Sequence, residues 1–455
     1  MRYPLIASLL SLALIAGGTT AAHGQPELTD STQPSLTDGT TASAPATAPE
    51  TATASPTGAP DQDPQPVDST AAAFNGATTA AVDVDLDSGD VAVLGVSWDA
   101  AADPGVVEYR TRDAATGDWT LWQELDLAAD GPEPGSADAR HAVIGTEPVI
   151  VGEDTEVEFR TQRAAASAEV TTATSAGTHA DAAAARSATS AAASADLSYV
   201  TRKQWGADES LKKCEIDISP GTVQAMTIHH TAGATNYSQS QVPGILRGIL
   251  RYHTEKLGWC DIGYNMLVDR FGGIYQGRSG SHDESVIGAH ASGFNTDTFG
   301  VSVMGTYRSP APSAAIAALG RIGGWQATKW GYDPTTTVTF TSAGGTAKYP
   351  KGRKVTLPRI FAHRDTGHTE CPGDDLYGQL KSIRSAAAKN TTPRYTTRGA
   401  IGAYYQTNRS RTGAPEMNER SIPGGAYQRF EKGSVHWSRA TGAHLTYRGS
   451  PIQRK

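Results

Sequence analysis

The chain has 455 residues, enough for about two or three domains. It carries 39 Lys and Arg against 47 Asp and Glu, a formal net charge of −8, which excludes a nucleic-acid binder that works by overall basic charge. No segment has the run of about 20 apolar residues that a helical membrane span needs.

Read in chain order, the N-terminus predicts a secretory signal peptide over 1–24. Arg2 supplies positive charge, Leu5 to Ala16 is apolar, and small residues around Ala21 to Gly24 offer a cleavage site. The expectation is a secreted chain, extracellular or cell-wall associated. Residues 25–72 follow as a predicted disordered linker. From 26 to 72 there are seven acidic residues, no Lys or Arg and no aromatic, too little apolar surface to offset the entropy of ordering.

Residues 73–165 change character. Short alternating runs such as Val91–Trp98, Val106–Arg110 and Trp119–Leu125, separated by Gly, Asp and Pro, predict a small β-sandwich-like accessory domain. Trp98, Trp119 and Trp122 have two readings, a carbohydrate-stacking platform or core, and core is the commoner role. Residues 166–197 are mostly Ala, Ser and Thr and are expected to form a second linker.

Residues 198–390 alternate strand and helix signals. Gln241 to Leu257 has helical spacing at Ile245, Ile249 and Leu250, with Gly258 as its stop. Tyr264–Arg270 and Ile274–Gln276 predict a hairpin across Gly272-Gly273. Phe299–Met304 and Ile360–His363 predict strands, and Ser313–Lys329 and Asp374–Ala388 helices. The fold expected is α/β, a mixed central β-sheet flanked by helices. The segment 399–455 holds nine Lys or Arg against three acids. Its Gly424–Ser438 and Ala440–His444 resemble one LGFP repeat of actinobacterial cell-wall proteins, although Thr412-Gly413-Ala414-Pro415 stands where the repeat begins L-G-F-P. The resemblance implies a cell-wall-binding segment that meets envelope polymers.

Two histidines and a cysteine carry the chemistry. His229 lies in the apolar run Thr227–Thr231, while His363 and Cys371 lie in His363-Arg-Asp-Thr-Gly-His-Thr-Glu-Cys371. Two imidazoles and a thiolate are three good zinc ligands, and a fourth position left to water marks a catalytic site. His229 and His230 are adjacent on a strand, so only one of them faces any given side.

These residues sit among motifs that resemble the peptidoglycan recognition protein family of type-2 N-acetylmuramoyl-L-alanine amidases, over about residues 198 to 385. The motifs are Arg202-Lys-Gln-Trp205-Gly206-Ala207, Gly258–Asn265, Gly288–Asn295, Phe299–Gly305, and Ala362-His363-Arg364 followed by Cys371-Pro372-Gly373-Asp374. The resemblance implies a Zn²⁺ site of His229, His363 and Cys371, in preference to His230 and His368. It implies Tyr264 and Thr369 as catalytic groups beside the scissile carbonyl, and His253, His290 and Asn295 as residues that bind the muropeptide substrate. It leaves Cys214 and Cys260 as a disulfide pair, which an oxidising compartment favours. The implied activity is hydrolysis of the bond between N-acetylmuramic acid and L-alanine in peptidoglycan. The alternative is a non-catalytic peptidoglycan-binding recognition protein, disfavoured by the intact Cys371.

Overall fold

The computed structural model describes residues 54–447, apart from positions 85, 87–89, 100, 129–130, 153, 166, 192–196, 308, 393–394 and 396. The predicted signal peptide, the first linker up to residue 53 and residues 448–455 lie outside the described residues.

The accessory domain is a sandwich of two sheets. One contains β1 (Asp68–Ala73), β3 (Val91–Trp98), β6 (Val149–Val151) and β8 (Glu169–Ser175), with Ile144–Gly145 paired on β3. The other has the order β2-β7-β4-β5, from β2 (Thr79–Asp83), β4 (Val107–Asp113), β5 (Gln123–Glu124) and β7 (Asp154–Thr161). Alternate residues of β4 are buried, so Val107 and Tyr109 meet Leu94, Val96, Val157 and Phe159 in the core. Trp98 belongs to that core at 5% exposure. Trp119 and Trp122 lie half-buried on the surface, stacked by guanidinium groups: Arg110 is 4.4 Å and 4.7 Å from their centroids. Their faces are therefore already partnered.

Two stretches expected as linkers are folded. Residues 57–65 bond the second domain through the Gln62 N–H to the Lys203 carbonyl (3.0 Å) and the Gln204 side chain to the Thr57 and Ala59 carbonyls (both 2.8 Å). The Ala/Ser/Thr segment supplies β8, which pairs with both β1 and β3, and α1 (His179–Ala191). Poor core residues suffice here because neighbours from elsewhere in the chain do the burying. Ala184 and Ala188 pack against Val242, Ile245 and Ile249.

The second domain has a five-stranded mixed sheet, in line with the α/β expectation. Its order is β12-β11-β13-β9-β14, from β9 (Ala225–His230), β11 (Met266–Val268), β12 (Ile274–Gln276), β13 (Thr298–Val303) and β14 (Ile360–Ala362). All pairs are parallel except β11 with β12. Helices α3 (Ser313–Trp330) and α4 (Leu380–Asn390) cover one face, where Leu319, Ile322 and Ile383 meet Met226, Ile228 and Phe299. Helix α2 (Val242–Arg251) covers the other, with Pro243 in its first turn and Gly258, at φ +69°, ending the turn that continues it. Cys214 and Cys260 are disulfide-bonded.

Helix α2 joins the domains. Residues 242–250 are all buried, apolar or not, because β3 and β8 pack on the side away from the central sheet. Gly244 and Gly248 face β3, and a Cβ on Gly248 would stand 2.6 Å from Val93 Cγ2, so a larger residue cannot be seated without moving the strand. A short strand, β10 (Ala232–Gly233), extends the accessory sheet by pairing with β6. Arg247, at the same seam, makes a bidentate pair with Asp181 of α1 at 2.8 Å and 3.0 Å. The C-terminal segment is a helix, α5 (Gly399–Thr412), packed on a four-stranded antiparallel sheet between Arg420 and Tyr447. Ile401, Tyr405, Phe430 and Val435 form its core, and Arg359 joins it to the second domain through Glu431 at 3.3 Å. Among the described residues no helix is long and apolar enough to cross a membrane.

Asp181→Ala leaves the Arg247 guanidinium buried without its carboxylate, so the denaturation midpoint should fall by the equivalent of about 3–5 kcal/mol. Asp181→Ala with Arg247→Met, which removes both charges, should recover most of that loss.

Candidate metal centre

The parallel register of β9 with β14 builds the centre. Ile228 pairs with Ala362, so the next residues, His229 and His363, emerge side by side at the C-terminal ends of the two strands. Their ring centroids are 4.6 Å apart. The loop after His363 turns back to bring in Cys371, whose Sγ is 3.8 Å from His229 Nδ1. The three donor atoms lie within 4.8 Å of one another, and all three residues are buried. Tetrahedral zinc with N and S ligands places neighbouring donors roughly 3.5 Å apart, so the donor set fits that ion once the widest pair closes on it.

Surrounding groups orient the donors. His229 Nε2 is 3.1 Å from His290 Nδ1, leaving Nδ1 turned to the sulfur. The His230 N–H donates to Cys371 Sγ at 3.3 Å, and the Cys371 N–H donates to Thr369 Oγ1 at 2.9 Å. Burial, then the neighbouring His363, His290 and His230, push the His229 imidazole well below its usual value, and burial brings His363 down to about 3. Both rings are thus neutral, the form that binds metal. Burial and then Asp126 push the Cys371 thiol up, so a bound cation is what would hold it as thiolate.

The structure places the other predicted residues as follows. The Tyr264 ring centroid is 5.4 Å from that of His229, and its hydroxyl donates to Glu147 Oε2 at 2.6 Å. Burial first, and then Glu147, raise the phenol well above its usual value and keep it protonated. Thr369 is half-buried and bonds Asp126 through its side chain. His230 does not join the cluster, and His368 is exposed.

His253, His290 and Asn295 require a correction. Expected to bind substrate, they are 0%, 2% and 0% exposed, so no ligand reaches them in this conformation. His253 Nδ1 accepts from the Gly263 N–H at 3.0 Å, positioning the turn before Tyr264. Asn295 Oδ1 accepts from the N–H groups of His290 and Ala291, while its amide donates to the Gly131 carbonyl at 2.7 Å.

What covers them is the accessory domain. Its segment between Leu125 and Pro148 crosses this face, and sequence reasoning missed it because no local periodicity links those residues to the second domain. Glu133 accepts from Asn295, Asp138 makes a buried pair with Arg278 at 2.7 Å, and Asp126 accepts from the Glu370 N–H at 3.2 Å. Gly131 sits so close to Trp259 that a Cβ would be 2.4 Å from the indole. Next to His230 remains a cavity of about 370 Å³, lined by Glu124, Asp126 and Glu147 of the accessory domain and by His230, Arg364, Glu370 and Asp374 of the second domain.

The chain is similar to known proteins in three segments. A family described as N-acetylmuramoyl-L-alanine amidase matches residues 219–374, the LGFP repeat matches 412–455, and an "Rv3811 N-terminal galactose-binding domain-like" family matches 45–189. Peptidoglycan recognition protein 1 of Bos indicus is 31% identical over 183 residues, 40% of this chain and 80% of its own length. Peptidoglycan-recognition protein SC2 of Drosophila simulans is 29% identical over 190 residues, 41% of this chain and 86% of its own length. A crystal structure of human PGRP-IBETAC in complex with glycosamyl muramyl pentapeptide aligns at 25% identity, covering 40% of this chain and 94% of that one, with a TM-score of 0.31. The chain belongs to the peptidoglycan recognition protein family, with an amidase-type domain between a galactose-binding-like domain and an LGFP repeat.

Cys371→Ala should abolish stoichiometric zinc in the purified protein, read by elemental analysis, with the fold retained by circular dichroism. Metal-free protein should also lose stability on acidification. His253 and His363 titrate near 3 when folded against 6.5 ordinarily. The unfolded chain therefore binds more protons, and the loss should run from about pH 6.5 down towards pH 3 in thermal melts.

Proposed function

We propose that the chain is a secreted, zinc-dependent N-acetylmuramoyl-L-alanine amidase that hydrolyses the amide bond between N-acetylmuramic acid and L-alanine of peptidoglycan, with its LGFP segment binding cell-wall polymers. The observation that carries this reading is the convergence of His229, His363 and Cys371 in one buried cluster beside a cavity. Zinc held there supplies a polarised substrate carbonyl and an activated water at neutral pH. The neutral imidazoles and the His230 N–H to sulfur bond pre-set the ligands, so little reorganisation is needed when substrate arrives. The Tyr264 phenol is a protonated hydroxyl beside His229, and Thr369 fixes the backbone of Cys371. Secretion rests on the signal-like N-terminus and on the disulfide, a bond favoured outside the cytosol.

The second reading is a non-catalytic peptidoglycan-binding recognition protein, and the names of the relatives, peptidoglycan recognition proteins, favour it. Digestion of defined muropeptides followed by mass spectrometry separates the two: the amidase releases a free L-alanine amine, and a binder leaves the substrate intact. Tyr264→Phe keeps the ring and its packing. Zinc content and muropeptide binding should survive while turnover falls about 10²–10³-fold, the usual cost of one active-site hydroxyl donor.

A further inference from the structure

A phenol has one proton, and that of Tyr264 is directed at a carboxylate from the other domain. For Tyr264 to donate to charge on the substrate, a short charge-assisted bond to Glu147 would have to break, whereas orienting Glu147 uses that bond as it stands. Glu147 also has access. It is half-buried and lines the cavity beside the cluster, opposite His230 and Arg364. Its charge acts on the Cys371 thiol as well as on Tyr264. A carboxylate held by a group that itself packs against His229, and facing a cavity, has the orientation and access that general acid–base catalysis needs.

We propose that Glu147, a residue of the accessory domain, is the catalytic acid–base residue of the amidase reaction, with Tyr264 as its positioning residue. The inference rests on the amidase reading above. The carboxylate takes one proton from the attacking water as the new C–O bond forms at the lactyl carbonyl. It returns that proton to the nitrogen of L-alanine as the C–N bond breaks, which regenerates the carboxylate. The accessory domain is then part of the active site rather than an appendage. It is held in place by the Asp138–Arg278 and Asp181–Arg247 pairs and by the β6–β10 strand pairing.

The test compares full-length wild type, Glu147→Gln, Glu147→Asp, Tyr264→Phe and the double variant Tyr264→Phe/Glu147→Gln on one soluble muropeptide, with zinc content measured for each. Loss of general acid–base catalysis typically costs about 10²–10⁴-fold. Glu147→Gln should lower kcat by at least about 10²-fold at unchanged zinc content, with KM within about threefold. Glu147→Asp should recover part of the rate. The double variant should be little worse than Glu147→Gln alone, because the two residues act as one unit. A second readout needs no turnover: in zinc-free protein labelled with 3-fluorotyrosine, the Tyr264 resonance, identified by its absence in Tyr264→Phe, should move in Glu147→Gln. Unchanged or raised kcat in Glu147→Gln overturns the proposal, the raised rate meaning that the carboxylate blocks the site. An unmoved resonance overturns the contact itself. An inactive wild type removes the amidase reading instead.

Discussion

Helix α2 is buried on two sides, and much of the molecule follows from that. A helix that covers a central sheet ordinarily shows water its outer face. Here the sequence Val-Pro-Gly-Ile-Leu-Arg-Gly-Ile-Leu supplies glycines where that face must admit β3, and an arginine that only a buried carboxylate can satisfy. The glycines allow the close approach, and Asp181 on α1 makes the burial of Arg247 tolerable. Once the accessory sheet is seated on α2, its loop between Leu125 and Pro148 has little choice but to cross the strand ends where His229 and His363 emerge.

The electrostatic character of the centre follows from the same burial. Five imidazoles, those of His229, His230, His253, His290 and His363, are pushed below their ordinary range, and burial is the first cause in each case. The positive charge that such a site lacks is what a dication would bring, and the thiol of Cys371 is the group that would respond most. Carboxylates stand around the cluster and not within it. Asp126 and Glu147 reach it from the accessory domain, so part of the negative charge of the cavity wall, which Glu370 and Asp374 share, comes from outside the amidase family match.

Short range and long range contributed differently along this chain. The strands ending in His229 and His363, the helix with Gly258 as its stop, the hairpin across Gly272-Gly273 and the α/β class were legible because each is encoded by local periodicity and turn chemistry. The trio His229, His363 and Cys371 was legible through motif order, since the ligands of a buried ion must be side chains of a few types at workable spacings. The stretch 166–197 was misread because alanine, serine and threonine offer little apolar surface of their own to bury. What orders β8 and α1 is burial by partners up to a hundred residues away, which composition does not display.

By itself, then, the sequence determined the α/β class and the motifs that carry His229, His363 and Cys371. Only the tertiary structure decided that His253, His290 and Asn295 are enclosed, and that the proton of Tyr264 is committed to Glu147. It also decided that a second domain forms one wall of the cavity. The physical reason is that register and periodicity act between neighbours in sequence or along a strand pair. The meeting of Glu147 with Tyr264, 117 residues apart, exists only because two separately patterned apolar faces bury the same helix.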